Sequence, residues 1–428
     1  MTEQDIAGLT PAFAKYLGRY RDCFLQKRTM AHFDTYCRGL LSDLPRKSVE
    51  PIALEAGTAV RTLQEFLVTT RWDQERARDR LQHDLASAVA AIPTDSLGTV
   101  GVIDETSCQK WGDQTPGVQR QYLGCVGKVD NGIVTVHVGV AKGRFQALLD
   151  ADLYLPQSWD EDRERCRAAG IPDEVVYRPK WRIALDQVVR LNDNGVSFDW
   201  LIFDEGYGAA VPFLRILNLV NQRFVAEVPV NFMVRNLNSG AARRVDERLT
   251  AAKAKAGRRY RLKHHTVADS VWRAVDATVW AADHTQRLVV AINEATAEVK
   301  YFLTNATGAS LARVLAVAFR RATVEHAFRL GKQEAGLMHY EGRDYTGLRR
   351  HLILALIVLG FVATHTERLR GEKPAGDGRA GVPGVEPAVC GGVPPAAQRA
   401  RGPAHQRRHP IPPKAERPGR QVPQETAA

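Results

Sequence analysis

The sequence predicts an α/β protein with a helical start, a sheet-bearing middle and a helical end. Three observations lead there. Apolar residues recur at helical spacing through residues 1–95. From Gly98 they give way to apolar runs and period-two alternation, and two of those runs end on aspartate. After Ser310 helical spacing returns. The 428 residues allow two or three domains at roughly 150 residues each. An apolar content of 44% is enough to bury a core, which excludes disorder along the whole length.

In the first segment, 1–95, Thr10-Pro11 reads as an N-cap followed by a first-turn proline. Residues 47–56 form a helix pattern closed by Gly57, and Thr58 then caps a second helix over 59–68. Two short helices across a glycine turn match the helix-turn-helix outline. That outline would set Arg61, Thr62 and Gln64 at the start of the second helix, where base edges are met. A plain helical hairpin accounts for the same pattern.

The strand zone opens with residues 99–104, a buried strand ending on Asp104. Residues 121–129 and 133–141 flank Asp130-Asn131-Gly132, a hairpin-turn signal. A helix-like stretch, 180–193, leads to the strand 198–204, which ends on Asp204. Further strands are expected at 223–230, 271–280, 287–292 and 299–303, interrupted by the charged segment 243–263. One long helix follows Ser310, and residues 352–363 form a second, fully buried one.

Fifty-nine Lys and Arg against 48 Asp and Glu give a net charge of +11, which suits a polyanionic partner. The six cysteines never fall in a C-x-x-C spacing, which speaks against a zinc finger and a disulfide scaffold. No uninterrupted apolar run reaches the length of a membrane span, and no secretory signal opens the chain. These features predict a cytoplasmic protein with no membrane partner. From Gly371 onward there are eleven prolines, nine glycines and no aromatic residue, so segment 371–428 is expected to be disordered. Its Pro-Gly-Ala-Arg bias is also what a shifted reading frame in GC-rich DNA would encode.

Asp104 and Asp204 each end an apolar strand, the place where open sheets carry their active residues. Arg321, Glu325 and Lys332 are spaced i, i+4 and i+11 and stack on one helix face. Glu325 on that face would lean toward the two aspartates, with a cation above and below it. Three converging carboxylates without a His/Cys cluster favour hard cations, Mg²⁺ or Mn²⁺. Two such ions can drive phosphodiester chemistry. The densest basic run, from Arg243 and Arg244 to Arg261 and Lys263, offers a DNA-backbone surface or merely a solvated one.

Several segments together resemble bacterial insertion-sequence DDE transposases of the IS701 type. They are Ile103-Asp104-Glu105-Thr106, Arg120-Gln121-Tyr122-Leu123-Gly124, Gly127-Lys128-Val129-Asp130-Asn131 and Leu153-Tyr154-Leu155-Pro156. Phe203-Asp204-Glu205-Gly206-Tyr207-Gly208, the run from Glu325 to Lys332 and the run from Gly336 to Arg343 complete the pattern. The resemblance spans residues 10–370. It implies an RNase H-like catalytic core in two parts, 96–220 and 306–370, split by a β-strand-rich insertion at 221–305 and preceded by a helical DNA-binding domain at 1–95.

The implied activity is cut-and-paste transposition: binding of terminal inverted repeats, strand cleavage and transfer to target DNA, by a homodimer on DNA. Asp104, Asp204 and Glu325 would hold two Mg²⁺ or Mn²⁺ ions. The related signature Tyr-x2-Arg-x3-Glu-x6-Lys carries over at Arg321, Glu325 and Lys332, with Ala318 in place of its tyrosine. Arg321, Lys332 and Arg329 would then contact DNA. An aromatic of the insertion, Trp272 or Trp280, would hold a flipped base. Two rival readings remain: a catalytically silent transposase acting only as a DNA-binding protein, and a carboxylate-pair hydrolase such as a glycosidase.

Overall fold

The computed structural model describes residues 3–262 and 269–371. Lys263, Cys390 and the tail beyond Gly371, for which disorder is expected, lie outside the described residues. Five helices come first: α1 Glu3–Gly18, α2 Lys27–Leu41, α3 Val49–Glu55, α4 Val60–Val68 and α5 Gln74–Ala91. Then come β1 Val100–Gln109, β2 Gln119–Leu123, β3 Lys128–Lys142 and β4 Phe145–Leu153, the short α6 Gln157–Asp160 and α7 Arg163–Ala168, and α8 Lys180–Asp193. The chain continues through β5 Trp200–Phe203, α9 Glu205–Gly208, α10 Val211–Leu219, β6 Phe224–Glu227, β7 Met233–Arg235 and β8 Ala242–Arg244. After α11 Val245–Arg248, α12 Ala251–Lys255 and β9 Arg258–Leu262 come β10 Ser270–Ala281, β11 His284–Asn293 and β12 Val299–Thr304. It ends in α13 Leu311–Ala318, α14 Arg321–Glu334 and α15 Tyr345–Gly371.

The strands form one mixed sheet in the order β2-β3-β1-β5-β6-β12-β11-β10-β7-β8, with β4 on β3 and β9 on β10. β1, β5 and β6 run parallel, whereas β1–β3, β3–β4 and β6–β12 are antiparallel. The parallel trio is buried and free of polar side chains over residues 100–103, 200–203 and 224–226, as expected of strands covered on both faces. Helix α13 packs on β5 and β6, α8 on β3 and β4, and α14 on β1, β3 and β4.

The N-terminal helices share their core with the far end of the described chain. Helix α15 packs on β4, α5, α2 and α4, and the Phe361 ring meets that of Phe13 at 4.7 Å, tilted by 50°. Arg350 donates from α15 to the carbonyls of Leu67 and Thr70 at 3.0 and 2.9 Å, capping the end of α4. Residues 352–363 are thus the middle of a 27-residue helix. Over 345–369 that helix is long and apolar enough to cross a membrane by length and composition. In this fold it is a core helix.

Several local expectations are corrected. Pro11 lies inside α1 and does not open a helix. Gly57, at φ +61°, closes α3 as expected: the Thr58 N–H reaches the Ala53 carbonyl and the Gly57 N–H the Leu54 carbonyl, the paired bonds of a Schellman ending. The N-cap of α4 is Ala59, not Thr58, and it makes no side-chain cap bond.

Asp130-Asn131-Gly132 does not turn the chain. It lies in β3, and the hairpin turns over residues 124–127, where Gly127 has φ +67°. The Asn131 side chain is spent instead on the carbonyls of Lys110 and Gly112, at 2.8 and 2.7 Å. Gly132 is there for closeness: a Cβ would strike the Cys108 carbonyl and stand 2.6 Å from Leu123 Cδ1.

The single long helix after Ser310 is two. It breaks at Phe319-Arg320, because Phe319 packs on Trp272 at 4.5 Å and Arg320 donates to the Gly143 carbonyl at 2.9 Å. The charged segment 243–263 interrupts the strands with α11 and α12, as expected, but it also adds most of β8 and all of β9 to the sheet.

Candidate catalytic cleft

Strand register levels the acids. Val102 of β1 lies opposite Ile202 of β5, so Asp104 and Asp204, each two residues further on, stand level. Asp204 follows the end of β5, but Asp104 does not end its strand as expected, because pairing with β3 carries β1 on to Gln109. Ile202 lies opposite Val225 of β6, which brings Glu227 to the same height on the next strand. Sequence reasoning missed Glu227. Its signal was the one used for the aspartates, an apolar run, Phe224-Val225-Ala226, ending on a carboxylate.

Helix α14 crosses these strand ends. Arg321, in its first turn, reaches all three acids, with its guanidinium 3.3 Å from Asp104, 3.6 Å from Asp204 and 4.0 Å from Glu227. Glu227 is also held by Lys300 at 2.6 Å. Arg321, Glu325, Phe328, Arg329, Lys332 and Gln333 line one side of a cleft of about 530 Å³. Asp104, Glu105, Thr106, Ser107 and Asp204 line its floor, and Tyr122, Gly124 and Cys125 of the β2–β3 hairpin its rim.

Burial, together with the nearby Asp204 and Glu325 carboxylates, pushes the Asp104 carboxyl up to about 6, against the opposing pull of Arg321. Burial works against the charge on Arg321, but the surrounding carboxylates hold it above its usual range. The Tyr207 phenol, raised by burial and by Glu105, Asp104 and Asp204, is fully buried without a hydrogen-bond partner. Thr106 Oγ1 and Arg321 Nε are likewise buried and unpartnered. Such orphaned polar atoms around three acids mark a site with hydrogen-bonding capacity left over.

As they stand, no three His, Cys, Asp or Glu side chains among the described residues are gathered closely enough to hold a metal ion. The guanidinium of Arg321 lies between the two aspartates and supplies the positive charge there. The donor set is nonetheless all oxygen, with Asp104, Asp204 and Glu325 facing one cleft, and it fits a hard divalent cation.

Among the residues singled out from the sequence, the fold brings Asp104, Asp204, Arg321, Glu325, Arg329 and Lys332 to this one cleft. Arg61, Thr62 and Gln64 lie apart from it on α4. Arg61 is exposed and pairs with Glu65 at 2.8 Å, Gln64 is exposed and Thr62 half-buried. Ala318, where the signature has tyrosine, is the buried last residue of α13. Trp272 is core, 3% exposed against Phe319, while Trp280 is 40% exposed. The hairpin residues Tyr122, Gly124 and Cys125 line the cleft, whereas the exposed Trp111 does not. In the basic run, Arg244, Arg259 and Arg261 pair with Asp246, Glu294 and Asp269.

Residues 19–291 match the family described as DDE superfamily endonuclease, a stretch containing Asp104 and Asp204 but ending before α14. The chain is also 32% identical over 223 residues to a protein of Microchaete diplosiphon named probable transposase for insertion sequence element IS701. That alignment covers 51% of this chain and 54% of the relative, so the chain spans about half the length of the curated relative it matches.

Proposed function

The chain belongs to the DDE superfamily endonucleases, and on that premise we propose that it is an insertion-sequence transposase that binds terminal inverted repeats and cuts and joins DNA at them. The observation that carries this reading is the level pair Asp104 and Asp204 on adjacent parallel strands, with Glu325 across one cleft beside Arg321, Arg329 and Lys332. The order β4-β3-β1-β5-β6, three antiparallel strands followed by two parallel ones, supports an RNase H-like core for residues 96–220 and 306–370, to which β6, Phe224–Glu227, adds the last strand from the start of the 221–305 segment. Residues 221–305 would then be its β-rich insertion and 1–95 its helical DNA-binding domain.

In this mechanism Asp104, Asp204 and Glu325 would hold two Mg²⁺ or Mn²⁺ ions, which when bound would supply Lewis acidity for phosphodiester cleavage. Arg329 and Lys332, on the open side of α14, bind the phosphates flanking the scissile bond. Arg321, which spans Asp104, Asp204 and Glu227, would keep fixed positive charge beside the scissile phosphate. Glu105, paired with Lys180 at 2.8 Å, braces the floor of the cleft. Arg61, Thr62 and Gln64 would read the repeat from α4, apart from the chemistry. Synapsis of two ends calls for a homodimer on DNA and target capture follows; the setting is the bacterial cytoplasm and its nucleoid.

The test is nicking of a labelled duplex carrying the inverted repeat that flanks this gene, with and without Mg²⁺, for wild type and Glu325→Gln. Metal-dependent cleavage that Glu325→Gln abolishes, with binding retained, is the expected result. The seat of Arg321 between the aspartates favours one second reading, a chain that occupies the ends without cutting them. Binding with no cleavage in either protein would establish that alternative.

A further inference from the structure

The segment that follows α14 is held by its main chain. Lys47 Nζ donates to the Glu334 carbonyl at 2.6 Å, and the His351 ring meets the Gly336 carbonyl at 2.9 Å. Cys108 Sγ reaches the Met338 carbonyl at 3.2 Å, and Lys110 Nζ donates to that of Tyr340. These side chains come from three places: the approach to α3, the end of the strand that carries Asp104, and α15. Nothing in regular secondary structure requires such a set. Carbonyls left over at a helix end are ordinarily satisfied by water or local turns.

Lys47 is the most heavily used of the four. It is 3% exposed, and its ammonium also donates to the Leu40 and Ser42 carbonyls at the end of α2, at 3.1 and 2.5 Å. Its backbone N–H donates to His339 Nδ1 at 3.0 Å. Gly336, at φ +59°, has no Cβ because one would stand 2.6 Å from Lys47 Cβ. Ser48 caps α3 directly afterwards, so this one residue joins the end of α14 to the start of the α3–α4 pair.

We propose that Lys47 is a positioning residue: its bonds to Glu334 and His339 make α14 follow the α3–α4 pair, so that a DNA end seated on α4 sets where Glu325 stands over Asp104 and Asp204. The inference rests on the transposase reading above. DNA acts on the clasp only through a difference in affinity between its closed and open forms. That difference is readable as exchange of the Leu337 and His339 amides, which bond to the Gly331 and Gly336 carbonyls.

The first arm uses the wild-type chain in EDTA, so that no cutting occurs. A duplex carrying the flanking inverted repeat is expected to slow amide exchange in α4 and equally across 335–340, whereas a scrambled duplex leaves 335–340 unchanged. Protection of α4 without protection of 335–340 overturns the inference and leaves the functional reading standing. Failure of the duplex to bind overturns both.

The second arm compares Lys47→Met and Lys47→Arg. Lys47→Met is expected to bind the duplex within about threefold of wild type yet nick it about 10- to 100-fold more slowly at saturating DNA, the scale of a displacement near 1 Å. Lys47→Arg recovers most of that rate. A lowered melting temperature with an unchanged kcat would reduce Lys47 to a structural cap and overturn the proposal. Should Lys47→Met fail to fold, the exchange experiment on the wild type decides alone.

Discussion

The guanidinium of Arg321 lies 3.3 Å from the Asp104 carboxylate, close enough to stand in for a cation at the end of β1. The Asp104 carboxyl, lifted to about 6 by burial, carries the cost of that arrangement. Between about pH 4, where an unfolded aspartate titrates, and pH 6 the folded chain binds more protons than the unfolded one. Stability therefore falls as pH rises through that window, and the cost persists above it. In EDTA at pH 7, Asp104→Asn is expected to be more stable than wild type by up to about 3 kcal/mol, with the difference vanishing below pH 4. Urea melts at the two pH values check this, and equal midpoints at pH 7 would refute it.

Taking away the cation has the opposite effect. Arg321→Gln leaves the acids of β1, β5 and β6 facing one another, and it is expected to lose about 3 kcal/mol at pH 7. Millimolar Mn²⁺ should return much of that loss if Asp104, Asp204 and Glu325 accept a divalent ion. The comparison is of thermal midpoints with and without Mn²⁺, and a midpoint indifferent to the metal would count against the assigned ligands.

His351 makes the protein acid-sensitive. It is fully buried, receives the Tyr36 hydroxyl at Nδ1, and is held down to about 4 chiefly by burial. The folded pKa lies below the unfolded value near 6.5. Its contribution is therefore complete above pH 6.5 and is lost as pH falls from there to 4. His351→Gln is expected to start less stable at pH 7.5 and to lose less on acidification. Circular-dichroism melts across that range decide the matter, and parallel profiles for the two proteins would exclude His351 as the titrating group.

Two glycines of the β2–β3 hairpin separate the turn reading from the packing reading. Gly132→Ala pushes a methyl group into the Cys108 carbonyl and Leu123, an overpacking expected to cost about 1–3 kcal/mol. Gly124→Ala meets no atom within 4 Å and takes no positive φ, so denaturant midpoints should place it within about 0.5 kcal/mol of wild type.

What the sequence made legible follows from which forces are local. β1 and β5 were visible because strands buried on both faces must be apolar, and their aspartates stood out against that background. Arg321, Glu325 and Lys332 were visible because helical spacing alone sets them on one face. β4 was not visible, because Asp150 and Asp152 interrupt its apolar pattern. Both are accommodated by distant residues: Arg190 from α8 at 2.7 and 2.6 Å, Gln82 from α5 and Gln187. The break between α13 and α14 depends on Trp272, and the true turn of the hairpin on the close approach of Gly132 to Cys108. None of these contacts is a property of the segment that displays it.

One further consequence belongs to the pairing of β12 with β6. Phe302 and Leu303 bond to Glu227 and Ala226, so the strands of 270–304 continue the same hydrogen-bonded ladder that ends in the cleft acids. A flap hung on loops would swing, but this region cannot turn away without tearing main-chain bonds. It is a gauge fixed to its bench: the spacing from the outer strands to the cleft is held constant.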